Sequence, residues 1–560
     1  MSKLITLMCV LLVLLIGSAC GRGGADFVFR SGGVYTLDGD RPWAESVVVD
    51  GGKIVAVGSD AETAAYIGRG TEVIDLAGKM LLPGFQDSHT HPILGASLEP
   101  LCRLDDAKSR EAVLEAVAEC ARETSDDWVL AFGWRSSLFL PEIAPGKETL
   151  DAVVSDRPAV LIAKDMHTFW LNSKALEAVG VTRETVTPPG GVIVRDPSSG
   201  EPTGALRDLA LDLVLDVMPR PNVFESLVAL HATLGEMSRH GYTSLLDARV
   251  SEPEMAWAYR LLEALGLLDM RVSLALLFDP HQGLSQRAAF RELRQDFASD
   301  RIQARVVKIF VDGGTAMGAS ASAPYAGARP SAVPYIPESA LAEAVTAFDA
   351  DGFAVHLHTL GDRATRSALD AIEAAKTAHP KRRGRHVITH LVYPQPRDLA
   401  RFRALGVIAN ISPWWAFRNE WMAMIAASLG PDRERWMLPF ASLERSGALL
   451  AAGSDYPFTP LDPFDAIEVG LTRRDPHDPS SPPLVEDEAL TLEALLAAYT
   501  INAAYQLHQE DRTGSIEPGK LADLIVIDRN LFETPVESIS EAGVLLTLLE
   551  GVVVHRAGSP

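Results

Sequence analysis

The chain has 560 residues, of which 47% are hydrophobic and 22% are charged, and its formal net charge is -23. This length exceeds what one simple core supports, and the composition is that of a globular enzyme, not of a disordered or fibrous protein. The acidic balance argues against nucleic acid as a partner, because phosphate neutralisation needs clustered Lys and Arg.

The N-terminus has a pattern typical of export. Lys3 gives a basic start, residues 4–16 are apolar but too short for a membrane span, and three small residues stand directly before Cys20. Residues 1–20 therefore resemble a bacterial lipoprotein signal in which Cys20 is acylated, although Gly17 stands where an aliphatic residue is usual. We expect an exported lipoprotein of the cell envelope, in the periplasm or at the outer membrane, whose membrane contact is the lipid at Cys20. Cleavage without lipidation and an uncleaved anchor are the alternatives.

The cysteines fit an oxidising compartment. Cys9 and Cys20 belong to the signal, which a glycine-rich tether at residues 21–26 follows. The two that remain in the exported body, Cys102 and Cys120, form an even pair, which favours a disulfide. Two buried free thiols are the alternative.

Short Val-rich runs bounded by glycine turns predict a small antiparallel sheet near the N-terminus, and similar runs occur near the C-terminus. The runs lie at residues 27–29, 46–49, 53–58, 72–75, 521–528 and 544–555. Because these segments flank one large middle region, we predict a composite β-sandwich built from residues 27–80 and 511–560.

The middle region alternates strand-like apolar runs with helical stretches such as residues 338–351 and 364–378. The strand-like runs lie at residues 81–85, 243–247, 272–278, 306–311, 354–358, 387–390, 407–411 and 449–453. Eight strands with intervening helices predict an α/β fold closed as a (β/α)8 TIM barrel of residues 81–97 and 226–510. Residues 98–225 do not fit this repeat, and we predict that they form an inserted subdomain after strand 1.

Metal-binding types of side chain stand at the predicted carboxyl ends of these strands, where barrel enzymes carry their catalytic residues. They are His89, His91, Lys308, His356, His358, His390 and Asp455. His89 and His91 stand two apart on an extended backbone, so both imidazoles, the commonest metal ligands, can reach one ion. Lys308 lies within an apolar strand, where an ammonium is costly unless it is paired, modified or neutralised.

The surrounding motifs are similar to those of the amidohydrolase superfamily, in the subgroup called amidohydrolase family 3, or YtcJ-like hydrolases. The matching segments are residues 83–91, 308–313, 356–362, His390, 453–457, 499–504 and 514–523. The resemblance runs from about residue 27 to the end of the chain. Thr359 and Val311 depart from the pattern at positions that are not ligands.

The resemblance implies a hydrolase with one or two divalent ions, for which zinc is the expected metal. It assigns His89, His91 and Asp455 to one ion, His358 and His390 to a second, and a Lys308 carbamylated by CO2 to the bridge between them. The ions would lower the pKa of a bridging water, and Asp455 would carry the proton of the metal-activated hydroxide to the leaving group.

Three of these positions have simpler alternatives. His356 is expected one layer deeper than His358, behind the ligands, and a ligand role for it is the alternative. Lys308 could instead pair with Asp312 at a mononuclear site, and Asp455 could merely cap a turn.

Substrate contacts are indicated more weakly. His167 lies in a segment that resembles a pocket-facing segment of the family, so it is a second candidate catalytic residue, with a solvated loop histidine as the alternative. Trp414 and Trp415 would line the mouth and favour an apolar or aromatic substituent, or they would pack against the insertion. Arg207 would contact an anionic substrate group, or lie at the surface.

The resemblance predicts hydrolysis of a non-peptide C–N bond in a small-molecule amide, N-substituted formamide or cyclic amide. An ester hydrolase, a deacetylase and an isomerase are alternatives on the same scaffold, because a fold does not fix the reaction. A binding or regulatory lipoprotein without turnover is an alternative of another class, against which the intact ligand set argues. The sequence is also compatible with a homodimer.

Overall fold

A computed structural model describes residues 24–139, 146–164, 166–188, 190–219, 222–251, 253–313, 319–325, 332 and 334–558. The predicted signal, its lipidation site Cys20 and the start of the tether lie outside the described residues. Within the described ranges, every helix is too short or too polar to cross a bilayer.

The strands follow one another along the whole chain. In chain order they are β1 (Phe27–Arg30), β2 (Gly33–Tyr35), β3 (Trp43–Ala44), β4 (Ser46–Asp50), β5 (Lys53–Gly58), β6 (Glu72–Asp75), β7 (Met80–Pro83), β8 (Phe85–Thr90), β9 (Cys102–Arg103), β10 (Val129–Trp134), β11 (Ala159–Ala163), β12 (Thr168–Leu171), β13 (Gly191–Arg195), β14 (Pro202–Asp208), β15 (Tyr242–Val250), β16 (Arg271–Leu277), β17 (Ile302–Phe310), β18 (Ala354–Thr359), β19 (Val387–His390), β20 (Ile408–Ile411), β21 (Leu449–Ala452), β22 (Leu524–Ile527), β23 (Val544–Leu549) and β24 (Val552–Arg556).

Helices separate most of these strands. They are Asp60–Thr63, Pro92–Leu98, Arg110–Glu123, Lys147–Asp151, Ser173–Ala178, Asp212–Leu215, Val223–Arg239, Pro253–Ala264, Arg287–Asp296, Glu338–Asp351, Asp362–Ala378, Pro396–Leu405, Glu420–Leu429, Pro431–Glu434, Phe440–Arg445, Pro463–Thr472, Leu492–Tyr499 and Ile501–Gln506.

The two chain ends form two small sheets, with strand orders β5-β4-β1-β6 and β24-β23-β22-β7-β2-β3. Apolar side chains of both sheets, among them Phe29, Val47, Leu524 and Leu548, share one buried core. The N-terminal sheet is mixed and not antiparallel as predicted, because β6 pairs with β1 in parallel.

The bounds predicted for the first barrel strand, residues 81–85, are wrong. The segment Met80–Pro83 pairs with β22 in the sandwich, and the barrel strand β8 begins at Phe85. A short, fully buried apolar run fits either sheet, so its pattern could not tell the two apart.

Eight parallel strands form the barrel, in the order β21-β20-β19-β18-β17-β16-β15-β8, which confirms the predicted (β/α)8 fold. The last strand returns to the first, since the Ser88 hydroxyl donates to the Ala452 carbonyl oxygen at 2.6 Å and Asp455 N–H donates to His89 O at 2.8 Å. Gly453 permits this approach, because a Cβ there would lie 2.5 Å from the backbone nitrogen of His89.

The segment between β8 and β15 carries a sheet of its own, with strand order β13-β14-β12-β11-β10-β9. A disulfide joins Cys102 in β9 to Cys120 in the helix Arg110–Glu123, with Cα atoms 6.0 Å apart. This sheet lies beside the barrel mouth, because its side chains Ile162 and Phe169 line the same cavity as the barrel residues His89 and Lys308.

Candidate metal centre and substrate cavity

Three buried ligand-type side chains meet at the mouth of the barrel. His89 lies in β8, His91 follows that strand directly, and Asp455 follows β21. The Asp455 Oδ1 atom is 3.3 Å from His89 Nε2 and 3.2 Å from His91 Nε2. One ligand atom from each residue lies within 4.8 Å of the others, which is the spacing of a candidate metal site.

A buried carboxylate holds the two strand ends in this arrangement. Asp87 Oδ1 accepts hydrogen bonds from the backbone N–H of Ser454 at 2.9 Å and of His89 at 3.2 Å. Burial raises the pKa of Asp87 to about 7, against the hydrogen bonds from Ser454, which lower it. Asp455 itself has a φ of 64°, a conformation that L-residues seldom adopt outside turns and functional sites.

A second group of ligand-type residues adjoins the first. The rings of His358 and His390 have centroids 4.6 Å apart, and those of His89 and His390 are 4.8 Å apart. Lys308 lies in β17 in register with His356 and is 1% exposed. Burial lowers the pKa of Lys308 to about 7, although the carboxylate of Asp455 acts in the opposite direction.

His356 lies behind His89. Its Nε2 atom is 2.7 Å from His89 Nδ1, on the opposite side of the His89 ring from Asp455. His356 therefore contacts the candidate ligand His89 from behind, and His89 Nε2 faces Asp455.

Asp312, the alternative partner of Lys308, is engaged by the loops around it. It accepts backbone N–H groups from Ser320 at 2.9 Å, Leu360 at 3.0 Å and Gly361 at 2.9 Å. Its Oδ1 atom also lies 3.4 Å from His358 Nδ1. Asp312 therefore orders the loops after β17 and β18 and orients His358, and this geometry does not favour the alternative ion pair with Lys308.

The donor set fits a divalent cation. Burial lowers the pKa of each site histidine below its usual value, so the rings are neutral near pH 7; they are His89, His91, His356, His358 and His390. Burial raises the pKa of Asp455, which Lys308 opposes. Within the described part of the chain, buried ring nitrogens such as His89 Nε2 and His390 Nδ1 have no hydrogen-bond partner. Neutral imidazoles and a carboxylate suit zinc and similar ions.

A cavity of about 880 Å³ opens above these residues. Its wall is largely apolar and comes from the insertion and from the barrel loops; it includes Trp134, Phe169, Trp414, Trp415, Trp421 and Phe458. The Trp415 ring is stacked on His390, with centroids 4.8 Å apart and planes inclined by 4°. Both predicted tryptophans therefore reach the cavity, and Trp415 lies directly against a candidate ligand.

The polar residues of the cavity agree only partly with the sequence prediction. His167 lines the cavity, and its Nδ1 is 3.2 Å from Asp208 Oδ1. Arg207 precedes Asp208 in β14 but is not among the lining side chains. The lining arginine at the end of β15 is Arg249, whose guanidinium carbon lies 5.6 Å from the centroid of the Phe310 ring. Its position at the carboxyl end of a barrel strand was a signal that could have found it.

Fold and site together define a barrel protein with a cluster of metal-type ligands at its mouth. Residues 72–555 match the amidohydrolase family, and the chain belongs to that family, as its motifs predicted. The protein named YtcJ from Bacillus subtilis (strain 168) is 29% identical over 546 residues, covering 94% of this chain and 99% of the relative.

One further relative and one solved structure are similar to this chain. The N-substituted formamide deformylase of Arthrobacter pascens is 28% identical over 565 residues, covering 95% of this chain and 99% of that protein. The crystal structure of an uncharacterized metal-dependent hydrolase from Pyrococcus horikoshii OT3 has the same fold, with a TM-score of 0.72 and 23% identity over 91% of this chain and 99% of that one.

Proposed function

We propose that the protein is a metal-dependent hydrolase that cuts a non-peptide C–N bond in a small amide, N-substituted formamide or cyclic amide. The observation that carries the proposal is the buried cluster of His89, His91 and Asp455 at the floor of a large cavity in an amidohydrolase-family barrel. The similarity to an N-substituted formamide deformylase supports a C–N bond over an ester.

In this proposal His89, His91 and Asp455 would hold one ion, and His358 and His390 would hold a second. The Lys308 amine would add to the carbon of CO2 and lose a proton, and the resulting carbamate would supply oxygen ligands to both ions. When bound, divalent ions supply Lewis-acid polarisation of the scissile carbonyl and lower the pKa of water. The imidazole and carboxylate donors match the ligand preferences of zinc, and they also bind related divalent ions.

Asp455 has the position needed for proton transfer. Its carboxylate faces the cavity and lies within 3.3 Å of both His89 and His91. It takes a proton from the attacking water and delivers it to the leaving nitrogen, which converts a poor amide leaving group into a neutral amine. His167 faces the same cavity from the insertion, where it can donate a hydrogen bond to the substrate.

The wall of the cavity restricts the substrate. The indoles of Trp134, Trp415 and Trp421 offer flat apolar surfaces, so an aryl or bulky alkyl substituent on the amide would be desolvated favourably. The guanidinium of Arg249 would hold a carbonyl or carboxylate oxygen.

The proposal is tested by assaying the purified protein on matched amides, formamides, cyclic amides and esters, with and without a chelator. Chelator-sensitive amine release that zinc restores, and that the variant Asp455→Asn lacks, is the expected result. Faster ester cleavage, deacetylation or isomerisation would favour the related alternatives. Bound metal with no turnover on any substrate would favour a binding protein.

We also propose that the protein is exported and carries lipid on Cys20. Wild-type protein is then expected in the membrane fraction, released by detergent, and the variant Cys20→Ala in the soluble fraction. Equal distribution of the two proteins would contradict lipidation. Light scattering of the soluble variant tests whether the protein forms a homodimer, which a monomer mass would exclude.

A further inference from the structure

Buried polar side chains form a connected group directly behind His89. They are Ser88 in β8, Thr389 in β19, Asn410 in β20 and Gln506 at the end of the helix Ile501–Gln506. Each is at most 3% exposed, and none lies at the candidate ion. Their hydrogen bonds can be assigned a direction, because two backbone carbonyl oxygens anchor the group.

Gln506 provides the first anchor. Its side-chain amide lies 2.7 Å from the carbonyl oxygen of Ser88. A carbonyl oxygen only accepts hydrogen bonds, so the Gln506 atom at this contact is Nε2. The other atom of the amide, Oε1, is then the acceptor that faces Asn410 at 3.0 Å.

Ser88 provides an independent second anchor. Its hydroxyl donates its single proton to the carbonyl oxygen of Ala452 at 2.6 Å. Toward Asn410, at 2.8 Å, the Ser88 hydroxyl can therefore only accept. The Asn410 Nδ2 group thus donates one hydrogen bond to the Ser88 hydroxyl and one to Gln506 Oε1. Both anchors require the same orientation of the Asn410 amide.

The orientation of the Asn410 amide in turn decides whether the Thr389 hydroxyl donates or accepts. Since Asn410 Nδ2 faces Ser88 and Gln506, Asn410 Oδ1 is the atom 2.8 Å from the Thr389 hydroxyl, which donates to it. Thr389 has no second proton, so it can only accept from His89 Nδ1 at 3.1 Å. The reverse direction would leave two buried acceptors facing each other across 2.8 Å, which is costly.

We propose that Gln506, Asn410 and Thr389 form a relay that keeps the His89 proton on Nδ1 and leaves the Nε2 lone pair directed at the candidate ion. The single Nδ1 proton of His89 is then shared between the Thr389 hydroxyl at 3.1 Å and His356 Nε2 at 2.7 Å. His356 carries its own proton on Nδ1, which has no hydrogen-bond partner among the described residues, and this cost opposes the relay. The inference rests on the proposed metal site. The three relay residues are positioning residues, because they act on the ion only through His89.

The relay should be visible in the metal-free protein. In nitrogen-15 NMR spectra of histidine-labelled apoprotein, the His89 signals, identified by their loss in His89→Gln, are expected to report an Nδ1-protonated neutral ring. The variant Thr389→Val, which keeps the shape but removes the hydroxyl, is expected to mix the two tautomers. Thr389→Ser is the matched control and should retain the wild-type spectrum.

Zinc affinity gives a second measurement that does not depend on turnover. Competition with a chelator is expected to show affinity lowered about 10–100-fold in Thr389→Val, the range for loss of a partner that orients a metal ligand. Thr389→Ser should bind zinc like the wild type. Unchanged affinity in Thr389→Val, or a wild-type His89 protonated on Nε2, would overturn the relay.

The wild-type spectrum decides the question even if Thr389→Val fails to fold. Failure of the relay and failure of the proposed function also remain distinct. A protein with the expected tautomer and zinc affinity but no hydrolase activity would retain the relay and refute the hydrolase. Hydrolase turnover by a protein whose His89 is protonated on Nε2 would retain the hydrolase and refute the relay.

Discussion

The two ends of the barrel differ in whether their buried polar groups have partners within the chain. At the end away from the cavity, Arg271 at the start of β16 is 2% exposed and forms ion pairs with Asp523 and, at 2.6 Å, with Glu550. Asp523 also accepts the backbone N–H of Glu550 at 2.9 Å. At the mouth, by contrast, some buried ring nitrogens, among them His91 Nδ1 and His390 Nδ1, have no hydrogen-bond partner within the described residues.

This difference separates stability from function. A buried charge whose partners belong to the same chain links the barrel to the sandwich, since Asp523 and Glu550 border β22 and β23. A buried base without such a partner carries a desolvation cost that a bound ion or ligand can offset. The mouth therefore has free donor atoms with which to bind a ligand, whereas the ion pairs of Arg271 at the opposite end join the barrel to the sandwich.

The largest expected effect breaks the function of the mouth alone. Asp455→Asn removes the proton carrier and a ligand with little change in volume, so kcat/KM should fall about 10⁴-fold or more. The thermal midpoint of the metal-free protein should stay within a few degrees, measured by circular dichroism. A variant with near-normal turnover would refute the role of Asp455.

The next effect removes the ion pairs of Arg271 and leaves the mouth unchanged. Arg271→Met leaves the buried carboxylate of Asp523 without its cation, while Glu550 keeps its ion pair with Arg301 at 3.3 Å, and the free energy of unfolding should fall by about 3–5 kcal/mol. Urea denaturation measures the loss, while kcat of the folded protein should hardly change. The control is Arg239→Ala, which removes the exposed pair with Glu236 and should change stability by less than about 0.5 kcal/mol.

Metal removal sharpens the comparison, because its effect on stability should depend on the ligands at the mouth and not on Arg271. Zinc held at about 100 times its dissociation constant should stabilise the folded state by about 2.7 kcal/mol, which a chelator would abolish. The zinc-dependent rise in thermal midpoint should persist in Arg271→Met and become smaller in His89→Ala, which lacks a ligand of the first ion. A zinc effect of unchanged size in His89→Ala would contradict the assignment of His89 as a ligand.

The smallest effect concerns the cavity wall. Trp415→Leu removes the indole stacked on His390, and an aromatic contact of this kind contributes about 0.5–1.5 kcal/mol. The KM for an aryl-substituted amide should rise roughly 2–10-fold, with less change for a small alkyl amide. Equal effects on both substrates would contradict an aromatic subsite at Trp415.

The sequence by itself determined the barrel and most of its candidate ligands. The strands β15 to β21 could be predicted because each is a short apolar run whose boundary is marked by turn residues. His89, His91, His358, His390 and Asp455 could be found because they follow such runs at spacings similar to those of a known family.

The tertiary structure decided what depends on partners distant in sequence. It pairs Met80–Pro83 with the sandwich and places Arg249 at the cavity. It shows that Asp312 accepts hydrogen bonds from the backbone N–H groups of Leu360 and Gly361. It also joined Gln506 to Ser88, across more than four hundred positions. Such contacts follow from register and chain closure, which no local pattern encodes, and they determine which nitrogen of His89 is free to bind.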